Sequence, residues 1–140
     1  MNSKYYSDPA VALDVLTETF QRVVKDPNIN ESLKGLNQLA AFDYTQDDPS
    51  LYFWMDARGG QVSVGTGQPA EPATVTMVSS LDVAHQSWSN KLNPMMAIAT
   101  RKIKPKGNAT SLLKLSPLLK KIAPIYNQVL DDKGLGAIKL

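Results

Sequence analysis

The side chains that could do chemistry are few and scattered. His85 is the single histidine, set between Ala84 and Gln86 on a short helix, and the chain has no cysteine. A zinc centre takes about four ligands, drawn mostly from histidine and cysteine. One histidine cannot supply that without several carboxylates, so no metal is expected and His85 reads as a surface polar residue. No Gly-x-Ser-x-Gly surrounds any serine, so there is no nucleophile elbow. Gly65-Thr66-Gly67 has the outline of a phosphate loop, but no Gly-Lys-Ser/Thr follows, and Pro69 and Pro72 obstruct the helix such a loop needs. It reads as a hairpin loop. Asp47-Asp48 and Asp131-Asp132 are adjacent pairs at element ends, where carboxylates cap or face water rather than share a proton. Asn108-Ala109-Thr110 matches a glycosylation sequon and reads instead as a helix cap. No catalytic residue and no cofactor are expected.

The one concentrated polar feature is Arg101-Lys102-Ile103-Lys104-Pro105-Lys106. In a strand, alternation places Lys102, Lys104 and Lys106 on one side, the ordinary solvated face of an edge strand. Its functional reading is transient contact with an anionic membrane surface, where each basic residue contributes about 1 kcal/mol. Nucleic acid is not expected as a partner: no aromatic residue interleaves the lysines, and the net charge is only +2.

With reactive groups excluded, apolar surface is what the chain has to offer. Its 140 residues are a single-domain length, and 43% hydrophobic with 20% charged residues describes a globular chain. Absent cysteine removes disulfides and thiolate chemistry. The N-terminal residues lack a signal-peptide core, and no apolar run approaches the roughly 18 to 20 residues of a membrane span, so a soluble cytoplasmic protein is expected.

The elements follow from period and punctuation. Asp8-Pro9 opens an amphipathic helix on Leu13, Leu16, Phe20 and Val23, ended by Asp26-Pro27. A second short helix is expected over Glu31 to Asn37. From Leu39 the period becomes two, giving strands through Phe42 and Tyr44, Leu51 to Ala57, Val62 and Val64, and Ala73 to Ser79. Short connections predict that these four form an antiparallel meander, since parallel neighbours usually need crossovers of a dozen residues or more. Ser79 with Asp82 is similar to a capping box and opens a helix to Ser89. Asn93-Pro94 opens another, with Met95, Met96, Ile98 and Ala99 on its buried side. The basic strand follows, then a helix capped by Asn108 with Leu112, Leu113 and Leu115. A last helix starts from Ser116-Pro117 with Leu118, Leu119, Ile122, Ile125, Tyr126, Val129 and Leu130, and Pro124 predicts a kink or break near Lys120. The tail Gly134 to Leu140 is expected either to be disordered or to tuck Ile138 and Leu140 into a cavity mouth. The layout is α+β, a largely antiparallel sheet with helices on one face.

Residues 36 to 116 resemble the sterol carrier protein family, the nonspecific lipid-transfer proteins. The resemblance rests on Trp54-Met55-Asp56 before Gly59-Gly60, Ala73 to Met77 before a helix, Lys91-Leu92-Asn93-Pro94 with Met96-Ala97, and Lys102-Ile103-Lys104 before Gly107-Asn108. It implies a five-stranded sheet under helices, with an apolar tunnel for a fatty acyl chain, an acyl thioester or a sterol, and no catalysis. Asn90 and Arg101 stand where the family usually has glycine, and Pro105 replaces a β-branched strand residue, so the last strand should be short, broken or at an edge. The candidate lining is Phe42 and Trp54 from the sheet, with Trp88, Met95, Met96, Ile98, Leu112, Leu113, Leu115, Leu119 and Ile122 from the helices. The alternative function is an enzyme, or an enzyme accessory module that sequesters an apolar substrate for a partner.

Overall fold

Helix starts are dictated by cap residues. In the computed structural model, which describes residues 2–140, the Asp8 carboxylate accepts from the Ala10 N–H at 2.7 Å and Pro9 opens α1, Pro9–Lys25. Asp26 serves two helices. Its N–H closes α1, and its carboxylate accepts from the N–H groups of Asn28 and Ile29 to open α2, Pro27–Leu36. That start is four residues earlier than the apolar spacing predicts, because an Asp-Pro pair at the cap nucleates the turn whatever follows it.

Five strands form one sheet: β1 Leu39–Asp43, β2 Tyr52–Asp56, β3 Ser63–Thr66, β4 Val75–Ser79 and β5 Ile103–Gly107, in the order β3-β2-β1-β4-β5. The first three make the expected meander, but β4 lies parallel to β1 on its other side, which corrects the four-stranded antiparallel meander. The crossover is residues 67–74, held extended by Pro69 and Pro72. It crosses three strand spacings, roughly 15 Å, and a segment of that length reaches about 27 Å when extended, so no helix is needed. Arg58 anchors it, donating to Asp56 at 2.9 Å and to Glu71 at 3.2 Å. β5 is an edge strand with Pro105 opposite Met77, as proline's missing donor requires.

The remaining helices are α3 Leu81–Trp88, α4 Pro94–Ala99, α5 Ala109–Leu115 and α6 Leu119–Asp132. The cap of α3 is Ser80, whose hydroxyl accepts from the Val83 N–H, rather than the Ser79 and Asp82 pair. Asp82 instead accepts from the Lys4 N–H at 2.9 Å, tying down the N-terminal segment. The expected break near Lys120 lies earlier, in the 3₁₀ turn Ser116–Leu118, and α6 runs through Pro124 as one helix. Pro124 leaves the Lys120 carbonyl without an intrahelical partner, in an exposed first turn where water can satisfy it.

Helices pack on the sheet face that carries Ala40, Phe42, Phe53, Met55, Val75 and Met77. At its centre Phe20 of α1 sits 5.4 Å from Phe42, 5.5 Å from Phe53 and 5.3 Å from Trp88 between ring centroids. One side chain thus joins α1 to the sheet and to α3.

His85 is 1% exposed, which overturns its reading as a surface residue. It faces inward because α3 presents Leu81, Ala84, His85 and Trp88 to the core, and partners from distant segments meet it there. Nε2 lies 2.7 Å from the Ile138 carbonyl and Nδ1 lies 2.6 Å from the Tyr126 hydroxyl, which is also hydrogen-bonded to the Tyr6 hydroxyl. A carbonyl only accepts, so Nε2 carries the proton and the Tyr126 O–H donates to Nδ1 of a neutral ring. The tail is therefore ordered by His85, with Leu140 42% exposed rather than tucked into a cavity. Burial pushes the His85 pKa below 6.5, against the opposing effects of the Ile138 carbonyl and Asp82. With the folded pKa below the unfolded one, the unfolded chain binds the extra proton, so stability is complete above pH 6.5 and falls as pH drops from there toward the folded value. Denaturant midpoints between pH 7 and 5.5 should decline in the wild type and stay flat in His85→Gln, since no other side chain has an ordinary pKa in that window.

Asn90 and Arg101 have φ of 56° and 60°. These are the positions where the family resemblance led us to expect glycine, and the left-handed backbone is the physical reason. Asparagine visits that region readily, whereas arginine pays for its Cβ there. Arg101→Gly is expected to raise stability by up to about 1 kcal/mol, the relief of a left-handed Cβ less the chain entropy of glycine. An unchanged or lower denaturant midpoint would contradict that reading of the turn.

Candidate functional site

Between the sheet and the helices lies an apolar cavity enclosing about 60 Å³, or about 650 Å³ when every interstice and the open space at its mouth is counted. Its floor is Phe42 of β1, Met55 of β2, Met77 and Ser79 of β4 and Ile103 of β5. Its roof is Ala84, Ser87 and Trp88 of α3, Pro94 of α4, Leu112 and Leu115 of α5, and Leu119 and Ile122 of α6, while Leu33 and Tyr44 complete the wall. Most of these side chains are buried. Ser87, Pro94, Leu115 and Ser116 are half-exposed, so the cavity meets solvent between the α3–α4 side and α5.

Polar groups in it are sparse. The Tyr44 hydroxyl accepts from the Trp88 Nε1–H at 3.1 Å, and burial pushes its pKa up, so it stays neutral. The Ser79 and Ser87 hydroxyls donate to the carbonyls of Ser80 and Val83. Among the described residues no carboxylate, lysine, arginine or histidine lines the space. Such a wall can hold a hydrocarbon by area burial and offer a guest's polar atom the Tyr44 hydroxyl inside or the Ser116 hydroxyl at the mouth.

Of the expected lining, Phe42, Trp88, Leu112, Leu115, Leu119 and Ile122 come together here, and five residues do not. Trp54 lies on the opposite sheet face, over Gly65, where an added Cβ would meet its ring at 2.3 Å. Sequence showed three consecutive aromatics, and alternation lets only one of the two adjacent residues Phe53 and Trp54 face the helices. Met95 and Met96 are 65% and 59% exposed, because six-residue α4 turns Ala97 rather than its methionines inward. Ile98 is half-buried outside the lining, and Leu113 points off α5 into solvent beside the inward Leu112. Met55, Met77 and Ile103 were missed as floor residues. Their signal was available, since each sits at the correct alternate position of its strand, two residues from Phe53, Val75 and Pro105 respectively.

Comparison with known proteins fits this arrangement. The model of the SCP-2 sterol transfer family matches residues 16–120. The chain is 32% identical over 111 residues to hydroxysteroid dehydrogenase-like protein 2 of Bos taurus, a match covering 79% of this chain and 26% of that protein. It thus spans about a quarter of the length of that relative. Among solved structures, the apo form of sterol carrier protein 2 from Yarrowia lipolytica superposes with a TM-score of 0.62 at 21% identity, covering 87% of this chain and 96% of that one. Sterol carrier protein 2 of Aedes aegypti, determined in complex with palmitate, gives 0.51 at 17% identity, covering 77% and 94%. These two superpositions concern the fold alone. The match along three quarters of the sequence assigns descent, and the chain belongs to the SCP-2 sterol transfer family.

Proposed function

We propose that this protein binds a single-chain lipid, a fatty acid or fatty acyl thioester, in the cavity between sheet and helices, and passes it on chemically unchanged. The observation that carries the reading is an apolar, solvent-connected cavity with no carboxylate, lysine, arginine or histidine among the described residues of its wall, and a single tyrosine held neutral by burial. The Aedes aegypti relative that holds palmitate supports the ligand class. An enclosed volume of about 60 Å³ is well below the roughly 300 to 1,000 Å³ of ordinary ligand sites, so binding requires the wall to move. The segment suited to move is α5 with the 3₁₀ turn after it: seven residues and three, ending at Leu118, with Leu113 already in solvent. Short elements with few buried side chains open at low cost. The Tyr44 hydroxyl, whose proton has no acceptor among the described residues, would then donate to the lipid's carbonyl or carboxyl oxygen.

Extraction of the purified protein followed by mass spectrometry, and titration with a fluorescent fatty acid, test this directly. Stoichiometric binding with release of unaltered ligand is expected. Conversion of the ligand by this chain alone would overturn the carrier reading. A second reading draws on the dehydrogenase-like relative, about four times longer than the matched region: the fold would hold an apolar substrate for a neighbouring enzyme. A carrier acting alone exchanges lipid between vesicles unaided, whereas an accessory module accelerates a partner's turnover and transfers little.

A further inference from the structure

Charge is unevenly distributed along the chain. Eight of its fifteen lysines and arginines and none of its thirteen acidic residues fall between residues 83 and 130. The remainder, with seven cations against thirteen acids, is net negative. The eight are all exposed and none forms an ion pair among the described residues. They bracket the cavity mouth in sequence: Lys91 precedes α4, Arg101 and Lys102 follow it, Lys114 lies in the last turn of α5, and Lys120 and Lys121 lie in the first turn of α6. Lys104 and Lys106, on the side of β5 opposite Ile103, extend the basic surface around the sheet edge.

The same segment carries three of the four large apolar side chains left in water among the described residues, Met95, Met96 and Leu113. Met95 and Met96 follow Pro94 at one lip of the mouth, and Leu113 precedes Leu115 and Ser116 at the other. Two adjacent exposed thioethers on a surface of uncompensated positive charge match neither bulk water nor a protein interior. They match an interface that is anionic outside and hydrocarbon within.

We propose that the cavity mouth docks on an anionic bilayer, with Met95 and Met96 inserted among the acyl chains and the surrounding cations on the headgroups. The proposal takes its purpose from the lipid-carrier reading, supplying that site with its source and destination, but its measurement is separate. Nucleic acid is disfavoured because residues 89–125 contain no aromatic side chain on which a base could stack.

Co-sedimentation with phosphatidylcholine vesicles, with and without phosphatidylglycerol, tests the surface. Binding is expected only to the anionic vesicles. It should weaken roughly fivefold for each cation removed in Lys91→Gln and Lys114→Gln, and at least tenfold in the double variant Met95→Gln, Met96→Gln. Both sets of variants should bind a fluorescent fatty acid in solution as the wild type does, because none of the four residues lines the cavity. If vesicle binding behaves as described while fatty-acid binding is absent in every variant, docking stands and the cavity reading falls. Equal binding to zwitterionic vesicles, no loss in the methionine variant, or tighter binding to an oligonucleotide than to anionic vesicles would overturn the proposal.

Discussion

Ala84→Leu is expected to weaken fatty-acid binding at least tenfold while leaving the protein as stable as the wild type or slightly more so. Ala84 is 2% exposed and faces the cavity from α3. Three added carbons enter a void of about 60 Å³ and occupy the space the first methylenes of a guest would take. At about 0.8 kcal/mol per buried methylene, the lipid forfeits roughly 2 kcal/mol, and tenfold corresponds to 1.4 kcal/mol. The host gains similar burial, offset by whatever strain the roof incurs. Opposite signs in stability and affinity would identify the space as a binding site rather than a packing flaw, because filling a mere flaw has no ligand to displace. Fluorescent fatty-acid titration and thermal unfolding, run on the same preparation, give both quantities. Unchanged affinity at unchanged stability would remove the cavity from any role.

Tyr126→Phe should carry the largest stability loss of any single-atom deletion, about 2 to 4 kcal/mol. The hydroxyl is wholly buried and sits between the Tyr6 hydroxyl and His85 Nδ1. Its removal strands both, and each unsatisfied buried polar group costs about 1 to 3 kcal/mol, offset in part by the desolvation the lost hydroxyl no longer incurs. At roughly 3 °C per kcal/mol for a domain of this size, the melting temperature should fall by about 6 to 12 °C. Tyr52→Phe serves as the control, since the Tyr52 side chain is only half-buried and makes no hydrogen bond among the described residues. A drop no larger than the control's would mean that the Tyr6–Tyr126–His85 chain holds nothing together.

How much of this could be read in advance depended on the kind of signal. Asp8-Pro9, Asp26-Pro27 and Asn93-Pro94 act locally, through a side chain reaching a neighbouring N–H, and each marks a helix start in the structure. Period-two alternation found the strands but not their order, because the placement of β4 beside β1 is decided by the reach of residues 67–74 rather than by any strand's own composition. The cavity was half legible. Leu112, Leu115, Leu119 and Ile122 follow helical spacing around a wide apolar stripe, and they do meet. Met95 and Met96 misled, because hydrophobic type alone does not reveal whether a six-residue helix has anything to lie against. His85 was illegible for a different reason: its hydrogen-bond partners stand 41 and 53 residues away in sequence, and such long-range contacts leave no local trace.

The central claim is that a hydrocarbon chain enters between α3, α5, α6 and the sheet. Methyl-resolved NMR titration with palmitate tests it most directly. We expect saturation at one equivalent, with the largest shifts on Leu112, Leu115, Leu119 and Ile122 and smaller ones on Val15 and Val23, which lie in the core outside the cavity wall. Shifts that never saturate, or that appear only on exposed methyl groups such as those of Met95 and Leu140, would contradict it.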